Sequence, residues 1–168
     1  MKWTFALTLS LALLLISPSA YAHFPRQGTS WTSPVGLGIT SGTVVSTSYR
    51  DSYFSFSGGF YTDIPLLETF HITPSTTVYR YKGESATDIS LNFKFIVPLE
   101  QWEAMGGITV GLTSTDTLVP HVGVFGGVAY NFVSNLDWFV NVGYNHVFLN
   151  SASHNVSIST GPLFRFRR

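Results

Sequence analysis

Between His121 and Phe148 the chain reads HVGVFGGVAYNFVSNLDWFVNVGYNHVF, and alternate residues along it carry two different chemistries. Val122, Val124, Val128, Tyr130 and Phe132 fall on one parity; His121, Gly123, Phe125, Gly127, Ala129 and Asn131 fall on the other. A period of two marks extended strands, whose successive side chains point to opposite faces. One face here is continuously apolar and the other is small or polar. Beyond the joint VSNLD, the residues Trp138, Val140, Val142 and Tyr144 continue the apolar face.

The same alternation recurs along the chain and predicts eight strands bounded by turn chemistry. Trp31–Thr40 sets Trp31, Val35, Leu37 and Ile39 against Thr32, Gly36 and Gly38; Tyr53–Asp63 sets Phe54, Phe56 and Phe60 against Ser55, Ser57 and Gly59. Phe70–Tyr81 shows Phe70, Ile72 and Val78 on one side but is interrupted by Pro74, which removes a ladder hydrogen bond. Asp88–Val97 alternates throughout, with Ile89, Leu91, Phe93, Phe95 and Val97 opposite Ser90, Asn92 and Lys94. Gly107–Thr113 and the two strands quoted first follow. Val156–Phe166 closes the series with Val156, Ile158, Phe164 and Phe166 opposite Ser157, Ser159, Gly161 and Arg165. The connections then divide into SGTVVSTSYRDS, KGESA, STDTLVP and NSASHN on one side and IPLLET, PLEQWEAMG and VSNLD on the other. Ser41-Gly42 is a possible tight hairpin, which would change the strand count by two.

Residues 1–22, MKWTFALTLSLALLLISPSAYA, have an early charge at Lys2, an apolar run around LALLLI, Pro18, and small residues at Ala20 and Ala22. This is the layout of a secretory signal peptide cleaved before His23. The apolar run falls short of the roughly 20 residues that a membrane-spanning helix requires. Residues 23–168 are expected to form a single domain.

Composition identifies the solvent of the apolar face. Charged residues make up only 11% of the chain, against about 25% in ordinary soluble domains. Nine Lys and Arg balance nine Asp and Glu, so no basic field exists to attract nucleic acid. There is no cysteine, which excludes disulfides, thiolate metal sites and a cysteine nucleophile. Without a second helix-length apolar run, a chain of this pattern crosses a bilayer only as a closed barrel. Apolar residues then face lipid and small or polar ones face the lumen. An eight-strand interior is largely filled by side chains, and Gly123, Gly127 and Gly143 are expected to make room for Phe125 and Phe139. Aromatic residues, 15% of the chain, fall near the strand ends: Phe70, Phe132, Trp138 and Phe166 at one end, Phe54, Tyr144 and Phe148 at the other. Rings with a polar edge favour such headgroup levels.

The signal segment, the eight alternating stretches, the run GVFGGVAYNF into SNLD and WFVNVGYNHVF, and the aromatic-rich end GPLFRFRR together resemble the OmpA-like superfamily of small outer-membrane β-barrels. The resemblance implies an all-β, antiparallel up-and-down transmembrane barrel of eight strands in the outer membrane of a Gram-negative cell. It also implies contact with outer-membrane lipid and lipopolysaccharide, and handling by the barrel-assembly machinery. Such barrels typically end on an aromatic residue, whereas Phe166 is followed here by Arg167 and Arg168.

Candidate chemistry is sparse. Histidines at 23, 71, 121, 146 and 154 form no i, i+4 helical pair and no H-E-x-x-H, so the spacing supports no metal site and no cofactor is implied. In NHVFLNSASHN, His146, Ser151, Ser153 and His154 are close in sequence, but His146 falls on the lipid-facing parity. Phe148 also stands where the lipid A deacylase barrels have their serine. No catalytic residue is assigned. Four charges have inward parity, Asp63, Asp88, Lys94 and Arg165, and a charge inside a narrow barrel has to be paired or hydrated. The expected function is that of a monomeric, non-enzymatic barrel serving envelope integrity or cell-surface contacts. A narrow porin-like channel and a lipid-modifying enzyme are the alternatives, with a soluble periplasmic barrel of inverted faces that binds an apolar ligand as a further one.

Overall fold

The computed structural model describes residues 35–48, 51–81, 83–99, 101–115, 117–133, 135–148 and 153–166. The signal segment 1–22, His23, Trp31, Thr32, Ser151, Arg167 and Arg168 lie outside the described residues. Eight antiparallel strands follow in order: β1 (Gly36–Thr47), β2 (Ser52–Leu67), β3 (Phe70–Tyr81), β4 (Glu84–Leu99), β5 (Trp102–Ser114), β6 (Leu118–Val133), β7 (Leu136–Val147) and β8 (Ser153–Arg165). Each pairs with its sequence neighbours, and β8 pairs with β1, so the sheet closes and leaves no edge. Below, the end where β1 starts and β8 finishes is called proximal, and the other distal.

The strands are 12 to 16 residues long. At about 3.3 Å per residue and a tilt of roughly 40°, that suffices to carry an apolar band some 25 Å tall. The band is present. Directly paired mid-strand residues such as Ile39 and Phe60, Ile108 and Val124, and Val142 and Ile158 are all exposed on the outer wall. So continuous an exposed apolar surface is the surface of a protein solvated by lipid. The interior holds Ser, Thr, Asn and charged side chains, so the faces are not inverted as a soluble apolar-binding barrel would require. Aromatic pairs cluster near the proximal rim, Phe70 with Phe95 at 5.0 Å and Trp102 with Tyr130 at 4.7 Å, and Phe54 with Phe56 at 5.7 Å near the distal rim.

Several boundaries differ from the alternation reading, mostly toward longer strands, while Val35 and Phe166, read as strand, lie just outside β1 and β8. The segment Ser41–Thr47 is strand, not loop, and Ser41-Gly42 runs straight through β1, paired on both sides. Ile64–Leu67 belongs to β2, and Pro98, Leu99 and Trp102–Gly106 belong to β4 and β5. The proximal ends of consecutive strands lie close in sequence, Leu67 to Phe70, Leu99 to Trp102 and Val133 to Leu136. Two of these carry a register shift at Leu66 and Phe132, which turns two successive apolar side chains outward in each case. Pro74 is accommodated because β3 pairs with β4 there, while the β2–β3 ladder is interrupted between Tyr61–Ser75 and Ile64–Ile72. Pro162 sits at a matching gap in the β1–β8 ladder. Each proline thus turns its missing N–H toward the broken ladder.

Inside the wall, glycine does a local job. A Cβ on Gly38 would overlap the ring of Tyr61, its direct partner, which packs edge-on against Phe139 at 5.3 Å. Tyr61 therefore covers the backbone that Gly38 leaves bare. Gly38→Val is expected to destabilise the barrel by about 1–3 kcal/mol, with Tyr61→Ala in the same chain recovering part of the loss; denaturant midpoints of the three variants in detergent check it. Gly123 and Gly127 make room for Asn145 and Asn141, not for phenylalanines, Gly143 makes room for Ser157, and the Phe125 ring packs over Gly107. At the distal turn, Gly83 has φ 85°, a left-handed conformation that suits glycine.

Candidate functional site

The lumen is the place where polar chemistry collects. Parity sends Asp63 of β2, His71 of β3, Lys94 of β4, Glu103 of β5, Asp137 of β7 and Arg165 of β8 inward at the proximal end. Closure of the sheet brings them together.

Asp63 is the centre. It is 0% exposed, and its Oδ1 lies 2.5 Å from Lys94 Nζ and accepts a hydrogen bond from Thr73 Oγ1 at 3.0 Å. Its Oδ2 lies 2.9 Å from His71 Nδ1 and 3.4 Å from an Arg165 guanidinium nitrogen. Arg165 also donates through Nε to Asp137 and contacts Glu103 at 3.4 Å. Asn131 Nδ2 completes the shell of Asp137 at 2.6 Å. Three carboxylates thus surround two cations, with the His71 imidazole against Asp63.

Above this layer, Asn92 donates to the Thr73 carbonyl at 2.8 Å and to Ser75 at 3.0 Å, and accepts from Thr109 at 2.7 Å. Toward the distal end, Tyr79 donates to Asp88 at 3.3 Å and accepts from Asn155 at 3.1 Å. His121 lies between Ser90 Oγ and Thr113 Oγ1, each at 3.1 Å. A cavity of about 170 Å³ runs along the lumen and is lined by residues from Asp88 at one level to Arg165 at another. The interior, which the strand count implied to be largely filled by side chains, keeps this space open.

Of the four charges with inward parity, Asp63, Lys94 and Arg165 meet in one cluster, and Asp88 stands apart with Tyr79. Glu103, Asp137 and His71 complete the cluster without having been singled out in the sequence. His71 carried a readable signal, since Phe70 and Ile72 face outward around it. Glu103 and Asp137 were hidden in stretches that read as connections.

The arrangement offers little for catalysis. Ser90 contacts His121, but the other imidazole nitrogen meets a threonine hydroxyl where a nucleophilic triad places a carboxylate. Ser153 points inward and is 1% exposed, whereas His146 and His154 face outward, so these neighbours in sequence sit on opposite sides of the wall. Among the described residues no group of three His, Cys, Asp or Glu side chains is placed to hold a metal ion.

No protein-family model and no curated sequence matches the chain. Solved structures do. The crystal structure of Neisserial surface protein A superposes with a TM-score of 0.70 at 15% identity, covering 79% of this chain and 97% of that one. The outer membrane protein OprG from Pseudomonas aeruginosa gives a TM-score of 0.54 at 8% identity, covering 81% and 97%. At these identities the likeness is one of fold alone, that of a small closed β-barrel.

Proposed function

We infer that the chain is exported, loses residues 1–22, and works in the outer membrane as a monomeric, non-enzymatic barrel. It contributes to envelope integrity or cell-surface contacts through its distal connections. The observation that carries this reading is the belt of exposed apolar side chains around a polar, ion-paired lumen, an inside-out distribution that only a hydrocarbon solvent favours. Lipid and lipopolysaccharide are then its immediate partners, and the barrel-assembly machinery handles it during biogenesis.

The lumen cavity favours a narrow channel as a second reading. Against it stands the proximal cluster, in which Arg165 spans from Asp63 to Asp137 and Glu103 across the interior.

Membrane fractionation tests the main reading. The protein is expected in the outer-membrane fraction, running as a compact species on gels unless boiled. Recovery as a soluble periplasmic protein with no heat-dependent shift would overturn it.

A further inference from the structure

Tyr144, His146 and His154 meet on the outer wall at the distal rim, outside the lumen network. Tyr144 and His146 lie two residues apart on β7 and share its outward face, and His146 is directly opposite His154 of β8. The two Nδ1 atoms are 3.3 Å apart, and Tyr144 Oη lies 2.6 Å from the same His154 Nδ1. Two nitrogens and one oxygen therefore converge.

The rings are held from behind. Tyr144 stacks on His154 at 5.7 Å with 22° between planes, and Phe148 meets His146 edge-on at 4.8 Å. β7 ends one residue after His146 and β8 starts one residue before His154, so the cluster stands at the rim, with Tyr144 exposed and the two histidines half-buried. Hydrogen bonding alone uses the group poorly: the single His154 Nδ1 faces both Tyr144 Oη and His146 Nδ1, and a hydrogen bond between the two Nδ1 atoms needs a proton on one of them. A metal ion accepts both lone pairs at once. Two imidazole nitrogens bound to one tetrahedral ion at roughly 2.0–2.1 Å are themselves about 3.3 Å apart, the separation found here.

We propose that His146 and His154, with Tyr144, form a binding site for a divalent transition-metal ion. The two Nδ1 atoms are its principal ligands, and the Tyr144 oxygen is a third after its hydrogen bond to His154 opens. Neutral imidazole and phenolic oxygen suit Cu²⁺ and Zn²⁺, with Cu²⁺ the tighter. A bound ion ties β7 to β8 beside their connection and raises the stability of the folded barrel by mass action.

The test uses the chain purified without a polyhistidine tag and folded in detergent, titrated with Cu²⁺ by calorimetry and followed by electron paramagnetic resonance. The expected result is an ion whose spectrum shows two imidazole nitrogens. His146→Ala and His154→Ala are each expected to weaken that binding by at least the roughly 10- to 100-fold that loss of an outer-shell partner costs. Tyr144→Phe is expected to weaken it less and to keep the two-nitrogen spectrum. Gel migration without boiling confirms that each variant is folded, which is favoured by the position of all three side chains on the outer wall. Wild-type affinity and spectrum in both histidine variants, or single-nitrogen coordination in the parent, would overturn the proposal.

Discussion

Asp63→Ala is expected to lower the stability of the barrel by about 3–5 kcal/mol, the cost of leaving a buried charge without its partner. The carboxylate is fully buried and pairs with Lys94 at 2.5 Å, while Lys94 itself is 6% exposed. Removing it takes from Lys94 the carboxylate it pairs with and from His71 and Thr73 their acceptor. Arg165 is better protected, since Asp137 and Glu103 remain. The double variant Asp63→Asn/Lys94→Met removes both charges and is expected to be closer to the parent than Asp63→Ala. Urea unfolding in detergent or lipid vesicles, followed by tryptophan fluorescence, reads both. A double variant as damaged as the single one would show that the aspartate acts by shape or hydrogen bonding, with its charge of little account.

Val142→Arg is the second large effect, and it tests which face meets lipid. Val142 stands in the middle of β7, 52% exposed, between Gly126 and Ile158 on the outer wall. An arginine facing lipid near the midplane costs about 2–4 kcal/mol. Asn141, one residue earlier, lines the lumen cavity, and its side-chain oxygen has no partner among the described residues. Asn141→Ala is therefore expected to cost about 1 kcal/mol or less. Unfolding midpoints in vesicles separate the two. Equal tolerance of both substitutions would mean that Val142 does not face hydrocarbon.

Where the polar and apolar sets alternate without a break, the sequence was enough. β4 reads Ile89, Leu91, Phe93, Phe95 and Val97 against Ser90, Asn92 and Lys94, and the structure keeps that division. A strand has only two faces, so a one-residue error would put every apolar side chain into the lumen. The low charge content and the absence of a helical span then left a closed barrel as the architecture. The inward direction of Asp63, Asp88, Lys94 and Arg165 followed from the same parity.

Strand ends and meetings across the barrel were decided elsewhere. Ser41, Gly42 and Thr43 carry no apolar side chain of their own to mark a face, yet they are strand because β2 and β8 both offer backbone hydrogen-bonding partners there. Glu103 and Asp137 read as parts of connections, yet β5 starts at Trp102 and β7 at Leu136, so both lie on strands. Asp63 and Arg165, 102 residues apart, meet because closure puts β8 beside β1 and the register sets both at one level. His146 faces His154 only through the register of their hairpin. Alternation is a local property, carried by each residue and its neighbours, so the chain alone determined the faces and the solvent of each. Register and closure are satisfied by backbone hydrogen bonds between distant segments, which side-chain identity does not encode, and the tertiary structure alone decided which inward and outward groups come within bonding distance.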